Sequence, residues 1–205
     1  MAWEPDYLTL EQCKHALRIT DDVDNAEISR AITAASRLVD LATNRQFGLV
    51  AAAEARYYTP WYDQDLRRWV VEIDDLMTTT DLAVAIDTGD TETYDTTVAA
   101  AEYTLRPRNA VLKNRPWTQV SLLASASAPM RRPDSVRITA RWGWSAVPVT
   151  IEEAMQLQMS RLFARRDSPH GVAGSPESGS EVRLLAKLDP DVEVTVKAYR
   201  RAVRP

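Results

Sequence analysis

One cysteine, two histidines and six glycines in 205 residues exclude several chemistries at the outset. A lone Cys13 cannot form an internal disulfide, which fits a reducing compartment. Set in an amphipathic stretch, it reads as a small buried side chain rather than a reactive thiol. One cysteine with His15 and His170 cannot build a structural zinc site of the usual type. The glycines form neither G-x-G-x-x-G nor G-K-[ST], so no loop is built to cradle a phosphate. Ser168 and His170 lie close together, but without a G-x-S-x-G elbow and in a segment too irregular to hold catalytic groups in place. Asp22-Val23-Asp24 opens like a calcium loop yet lacks its glycine and closing glutamate, and helix capping is the better reading. Asp74-Asp75 reads as a turn ending a strand. The expectation is a non-enzymatic protein with no catalytic residues, no metal and no cofactor.

Long apolar runs are also missing. No stretch reaches the roughly 18 residues a membrane helix needs, and Met1-Ala2-Trp3-Glu4-Pro5-Asp6 lacks a signal pattern. The expected setting is a cytoplasm, or a particle assembled there, with no membrane partner. What is present suits a packed core: 45% of residues are hydrophobic and 26% charged. The net charge of −4 is uneven. Residues 1–130 carry 12 basic and 20 acidic side chains, and residues 131–205 carry 13 and 9. The basic excess gathers in Arg165-Arg166 and in Arg200-Arg201 with Arg204, where it could face nucleic acid, an acidic partner or solvent.

The pattern divides the chain into three parts: helical residues 1–50, a β-rich region over 51–147, and helical residues 148–205. In the first, Thr9 and Gln12 form a capping box for a helix to about Arg18. Asp24 with Glu27 is a second box, opening a helix to about Arg45 whose stripe is Ile28, Ala31, Ile32, Ala35, Leu38, Val39 and Ala42. In the middle region, short β-rich runs at 56–59, 68–73, 82–86, 102–105, 118–122 and 136–142 alternate with turn signals. They predict a small antiparallel sandwich or barrel. In the third part, Thr150 with Glu153 is a third box, and Ile151, Ala154, Met155, Met159, Leu162 and Phe163 form a stripe. The two long helices, each with one apolar face, are expected to pack on each other. Residues 167–181, with four serines, three glycines and two prolines, read as a mobile loop or a segment ordered only by a partner. Asp189-Pro190 opens the last helix. A helix-turn-helix reading of 9–45 fails on charge, because the second helix opens with Asp21, Asp22, Asp24 and Glu27.

Tyr7-Leu8-Thr9-Leu10-Glu11-Gln12, the acidic turn, and the helix closing on Ala42-Thr43-Asn44-Arg45-Gln46-Phe47 resemble the start of tailed-phage head–tail connector proteins. Arg141-Trp142-Gly143-Trp144-Ser145-Ala146-Val147-Pro148, the helix ending Arg165-Arg166, and Leu188-Asp189-Pro190-Asp191-Val192 with Tyr199-Arg200-Arg201 are similar to head-to-tail adaptors of actinobacterial siphophages. The resemblance implies an α+β fold: a helical adaptor bundle carrying an inserted antiparallel β domain. It implies a structural virion protein, made in the host cytoplasm, that forms a homo-oligomeric, twelve-fold ring. The ring lies between the portal and a head-closure or tail-terminator protein, and genomic DNA passes through its lumen without sequence-specific binding. A head-closure stopper, a tail terminator and a bacterial binding module are the alternatives. Candidate portal or subunit contacts are Arg165, Arg166, Arg200, Arg201 and Arg204, with Tyr199, Trp142 and Trp144, because arginine and aromatic side chains are enriched at interfaces. Tight phosphate binding would hinder sliding DNA, so these arginines are expected to meet carboxylates.

Overall fold

The computed structural model describes residues 5–167, 172–173, 182–183 and 188–201. The chain is α+β and divides into two compact units, Asp6–Phe47 with Val147–Pro205 and Met1–Pro5 with Gly48–Ala146.

The helical unit contains α1 (Leu10–Leu17), α2 (Asn25–Thr43), α3 (Val149–Ala164) and α4 (Pro190–Lys197). The Thr9 box forms as expected: the Thr9 hydroxyl accepts from the Gln12 amide at 3.2 Å, and the Thr9 amide donates to the Gln12 side chain at 2.7 Å. Cys13 is fully buried, and burial pushes its thiol up to about 11. α2 buries Ile28, Ala31, Ile32, Ala35 and Val39, and α3 buries Ile151, Ala154, Met155 and Met159. The two faces pack together, with α1 and α4 each lying against both. Ser36 and Thr43 sit within the buried face of α2, where their hydroxyls donate back to the carbonyls of Ile32 and Val39. Leu38, Ala42, Leu162 and Phe163 are only half-buried, at the margins of the two stripes.

The other two expected boxes do not form. Asp24 precedes α2 with φ −95° and ψ 8°, outside the extended conformation that aims a cap side chain at the next turn. Its carboxylate pairs with Arg166 instead. α3 starts at Val149 after an extended Pro148, so Thr150 lies inside the first turn, and its hydroxyl shares a 2.8 Å hydrogen bond with the Tyr199 hydroxyl. α4 begins as read, with the Asp189 carboxylate accepting from the Asp191 amide at 3.0 Å and Pro190 in the first turn. α2 ends at Thr43 on a left-handed Asn44, before the expected Arg45. The loop expected over 167–181 falls outside the described residues, apart from Asp167 and Val172–Ala173; the latter pairs antiparallel with Val182–Arg183.

Phe47 closes the unit. It has no exposed surface and lies edge-on between Tyr7 and Tyr199, with ring centroids 5.9 and 5.6 Å away. The Tyr7 hydroxyl accepts from the Phe47 amide at 3.0 Å and donates to Asp40. Arg37 pairs with the same carboxylate at 3.1 Å. Burial nevertheless dominates and pushes the Asp40 carboxyl up to about 6.

The β unit holds eight strands: β1 (Glu54–Tyr58), β2 (Trp61–Asp63), β3 (Arg68–Leu76), β4 (Ala83–Ile86), β5 (Thr96–Val98), β6 (Tyr103–Arg106), β7 (Trp117–Leu122) and β8 (Val136–Ala140). They form two four-stranded antiparallel sheets, ordered β1-β8-β4-β5 and β2-β3-β7-β6. The six expected runs all appear; β2 and β5 are additional three-residue edge strands. On β8, Val136, Ile138 and Ala140 are buried while Arg137 and Thr139 are not. Val84, Ile86, Val98, Val136 and Ile138 of one sheet share a core with Val71, Ile73, Leu76, Val120 and Leu122 of the other, so the unit is a sandwich.

Asp74 and Asp75 lie within β3, not in a turn. Asp74 accepts from Arg56 at 2.7 Å and from the Tyr58 hydroxyl at 3.0 Å, two polar side chains on edge strand β1. Asp75 is buried beside an irregularity in the β3–β7 register and accepts from the Trp144 indole at 2.7 Å. Its carbonyl accepts from the Gly143 amide at 2.7 Å, and Gly143 has a φ of 106° that a side chain would strain.

Two outcomes follow for the helical unit. Met155→Ala should lower unfolding free energy by about 2–5 kcal/mol, and half-buried Leu38→Ala by about 1 kcal/mol, in urea titrations; no loss at Met155 would contradict the α2–α3 packing. Asp40 has a folded pKa above its unfolded value, so the native state holds the proton more tightly and stability is lost as pH rises through about 6. Relative to Asp40→Asn, the natural chain should gain about 1–2 kcal/mol between pH 7 and pH 4.5, after allowing for partial solvent screening. Parallel stability curves would show that Asp40 is not so perturbed.

Candidate functional site

Among the described residues no cluster of three or more His, Cys, Asp or Glu could hold a metal ion, and no helix is long and apolar enough to cross a membrane. The surface features that remain are grooves, exposed apolar side chains and unpaired charges.

In the helical unit they gather around α4. Its alternating valines split: Val192 and Val196 are buried, and Val194 between them is 74% exposed. On one side, a groove of about 420 Å³ between α3 and α4 is lined by Val149, Ala154, Leu157 and Val192, with Glu153 and Asp191 among them. Val149 is 70% and Leu157 42% exposed. Among the described residues, the carboxylates of Glu153 and Asp191 have no ionic or hydrogen-bonding partner. On the other side, a groove of about 390 Å³ between α2 and α4 is lined by Leu41, Ala42, Leu188 and Val196, with Glu193, Lys197 and Arg200.

The expected contact residues take different roles. Arg166 is spent on Asp24 and lies over the Phe163 ring at 4.7 Å. Arg165 is half-buried in the turn that follows α3. Tyr199 packs on Phe47, and its carbonyl accepts from the Arg45 side chain. The Arg201 amide donates to the Thr43 carbonyl at 2.8 Å, satisfying an orphan acceptor at the end of α2. Arg200 is exposed at the α2–α4 groove, and Arg204 lies outside the described residues. Trp142 and Trp144 are corrected as surface candidates: both are buried in the β unit, and their indoles donate to the Glu54 carbonyl at 2.9 Å and to Asp75.

The β unit adds features that local pattern did not flag. Asp87 is buried at the end of β4, and burial alone would raise its carboxyl. Arg132 and the amides of Glu92, Gly89 and Thr91 outweigh that and hold it well below the usual carboxylate range. Arg132 also reaches Asp90 at 2.6 Å, so the loop after β4 is tied to the one before β8. A cleft of about 340 Å³ is lined by Trp61, Tyr62 and Trp69, with Arg131 stacked over Trp69 at 5.4 Å.

The β6–β7 loop is the most basic stretch of the unit. Residues 106–115 contain Arg106, Arg108, Lys113 and Arg115 and no acid. A short 3₁₀ turn at Val111–Lys113 orders it, with Ala110 accepting from Arg115 at 2.9 Å and Asn114 in the left-handed conformation. Ala110 and Pro116 anchor its base in the unit, and its tip presents Leu112, 87% exposed, beside Val111, 49% exposed. Arg108 and Lys113 flank that tip, exposed and without ionic or hydrogen-bonding partners among the described residues.

Neither a family model nor a curated protein matches the chain. Solved structures do. One is a chain in the neck of an empty gene transfer agent (GTA) particle, computed with C6 symmetry: 18% identical, TM-score 0.58, covering 100% of this chain and 95% of that one. Another is in the neck of the native GTA particle, computed with C12 symmetry: 19% identical, TM-score 0.46, covering 100% and 97%. The first likeness spans both units, and this chain therefore has, from end to end, the fold of a protein found in a particle neck.

Proposed function

We propose that the protein is a head-to-tail adaptor of a phage-like particle, a structural subunit that forms a ring between the portal and the tail-side proteins, with DNA passing through the lumen. The observation that carries the reading is the end-to-end fold likeness to a neck protein, with almost nothing left over in either chain. The residues agree with it. The surface offers grooves and exposed apolar side chains suited to protein contacts, as expected of a subunit whose free surface is covered by assembly. A substantial helical unit in addition to the β sandwich favours an adaptor over the mainly β stopper proteins. The chain carries −4 overall, and a lumen of such subunits has little reason to grip DNA phosphates.

Arg200 is the portal contact we assign among the C-terminal arginines. It is exposed, has no ionic or hydrogen-bonding side-chain partner among the described residues, and lines the α2–α4 groove. A guanidinium there suits bidentate pairing with a carboxylate on the portal.

Electron microscopy of the purified protein mixed with the portal protein of its own particle should show an added ring layer. A protein that stays monomeric beside bare portals would sink the adaptor reading. Arg200→Glu should leave the thermal unfolding midpoint unchanged and abolish docking. Normal docking with an altered rate of DNA ejection would place Arg200 at the lumen instead.

A further inference from the structure

We infer that the loop of residues 106–115 in one copy of the chain seats its apolar tip in the α3–α4 groove of the next copy. This names the subunit contact of the proposed ring and rests on that reading. The two surfaces complement each other in both respects that matter. The loop offers Leu112, one of the most exposed large apolar side chains in the described chain, on a turn held by its own backbone hydrogen bonds. The groove exposes apolar surface from Val149 and Leu157, with buried Val192 beneath them. Arg108 and Lys113 flank the tip, while Glu153 and Asp191 lie in the groove, and none of the four has a side-chain ionic partner among the described residues. An apolar contact with matched charges around it is the anatomy of a specific protein interface, in which the charges set orientation and reject wrong partners.

The knob and the groove are different surfaces of one chain, so each copy carries one of each. Their union is head-to-tail, the kind of contact that closes into a ring by rotation rather than stopping at a dimer. A second copy fits better than duplex DNA. Two phosphates could satisfy Arg108 and Lys113, but Leu112 and Val111 would gain nothing against a sugar–phosphate backbone, and order in the turn would serve no purpose.

Disulfide trapping tests the contact even when it is weak. Full-length Leu112→Cys protein is mixed with differently tagged Leu157→Cys protein and oxidised. Native Cys13 stays silent because it is buried and protonated. The mixed dimer should form at least about ten-fold faster than between Leu112→Cys and Leu66→Cys, an exposed control on the β unit. Arg108→Glu with Lys113→Glu should slow trapping about ten-fold, and Glu153→Lys with Asp191→Lys in the partner should restore it. Circular dichroism checks each fold, and Glu153→Lys alone serves should the change at Asp191 unfold α4. Trapping no faster than the control, or indifferent to charge reversal, overturns the inference. So does retardation of duplex DNA by the natural chain that Arg108→Glu with Lys113→Glu abolishes, with no preferential trapping, which assigns the loop to nucleic acid. Rings seen by electron microscopy without the 112–157 cross-link refute this contact and leave the adaptor reading standing; the cross-link without rings does the reverse.

Discussion

The burial of Phe47 between Tyr7 and Tyr199 is the contact on which the helical unit depends. Tyr7 and Phe47 bracket α1 and α2, Tyr199 follows α4, and the whole β unit intervenes between Phe47 and α3. Short loops cannot hold α2 against α3, since about a hundred residues separate them in sequence. Side-chain packing has to do it, and the ends of that packing need closure. The Arg201 amide on the Thr43 carbonyl, the Arg45 side chain on the Tyr199 carbonyl and the Thr150–Tyr199 hydroxyl pair supply polar fastenings around the aromatic cluster. Two residues expected at a partner contact take part in this closure, Tyr199 through its ring, hydroxyl and carbonyl, and Arg201 through its backbone amide.

What could be read from local pattern was periodicity. The stripes on α2 and α3 and the alternation on β8 each arise from one buried face, and a buried face writes itself into neighbouring residues. The Thr9 box was legible because both partners lie within four residues. Asp24 and Thr150 have the same spacing, yet a competing partner decided each: Arg166 lies 142 residues from Asp24, and Tyr199 lies 49 from Thr150. Asp74-Asp75 looked like a turn because two adjacent carboxylates are unusual inside a strand. Their partners, Arg56, Tyr58 and Trp144, come from segments far away in sequence. β2 and β5 escaped notice because a three-residue edge strand needs only one neighbour and carries little pattern. Trp142 and Trp144 showed their size in the sequence but not their hydrogen-bond acceptors, and it is those acceptors that allow an indole to be buried.

The charges of the molecule fall into two populations. Arg132 with Asp87, Arg161 with Asp189, Arg56 with Asp74 and Arg166 with Asp24 are internal fastenings between segments distant in sequence. Asp87 shows how far such a site can be built: three backbone amides and a guanidinium converge on one buried carboxylate. Arg108, Lys113, Glu153, Asp191 and Arg200 belong to the second population, with side chains unpartnered among the described residues and exposed or groove-lining. An even net charge would have concealed this division; the distribution of partners reveals it.

The insertion of the β unit between α2 and α3 also sets an order of events during synthesis. α1 and α2 leave the ribosome first, with Ile28, Ile32, Ala35 and Val39 exposed along one face and their partner α3 not yet made. The β residues are contiguous in sequence and reach their last strand, Val136–Ala140, before α3 begins. A contiguous sandwich can close while its flanking helices wait, as domains fold as units on the emerging chain. α2 must therefore stay soluble as a marginal, amphipathic helix through the translation of an entire second unit. The small side chains on its buried face, Ala31, Ala35 and Ser36, keep that waiting surface far less adhesive than a leucine stripe of equal length.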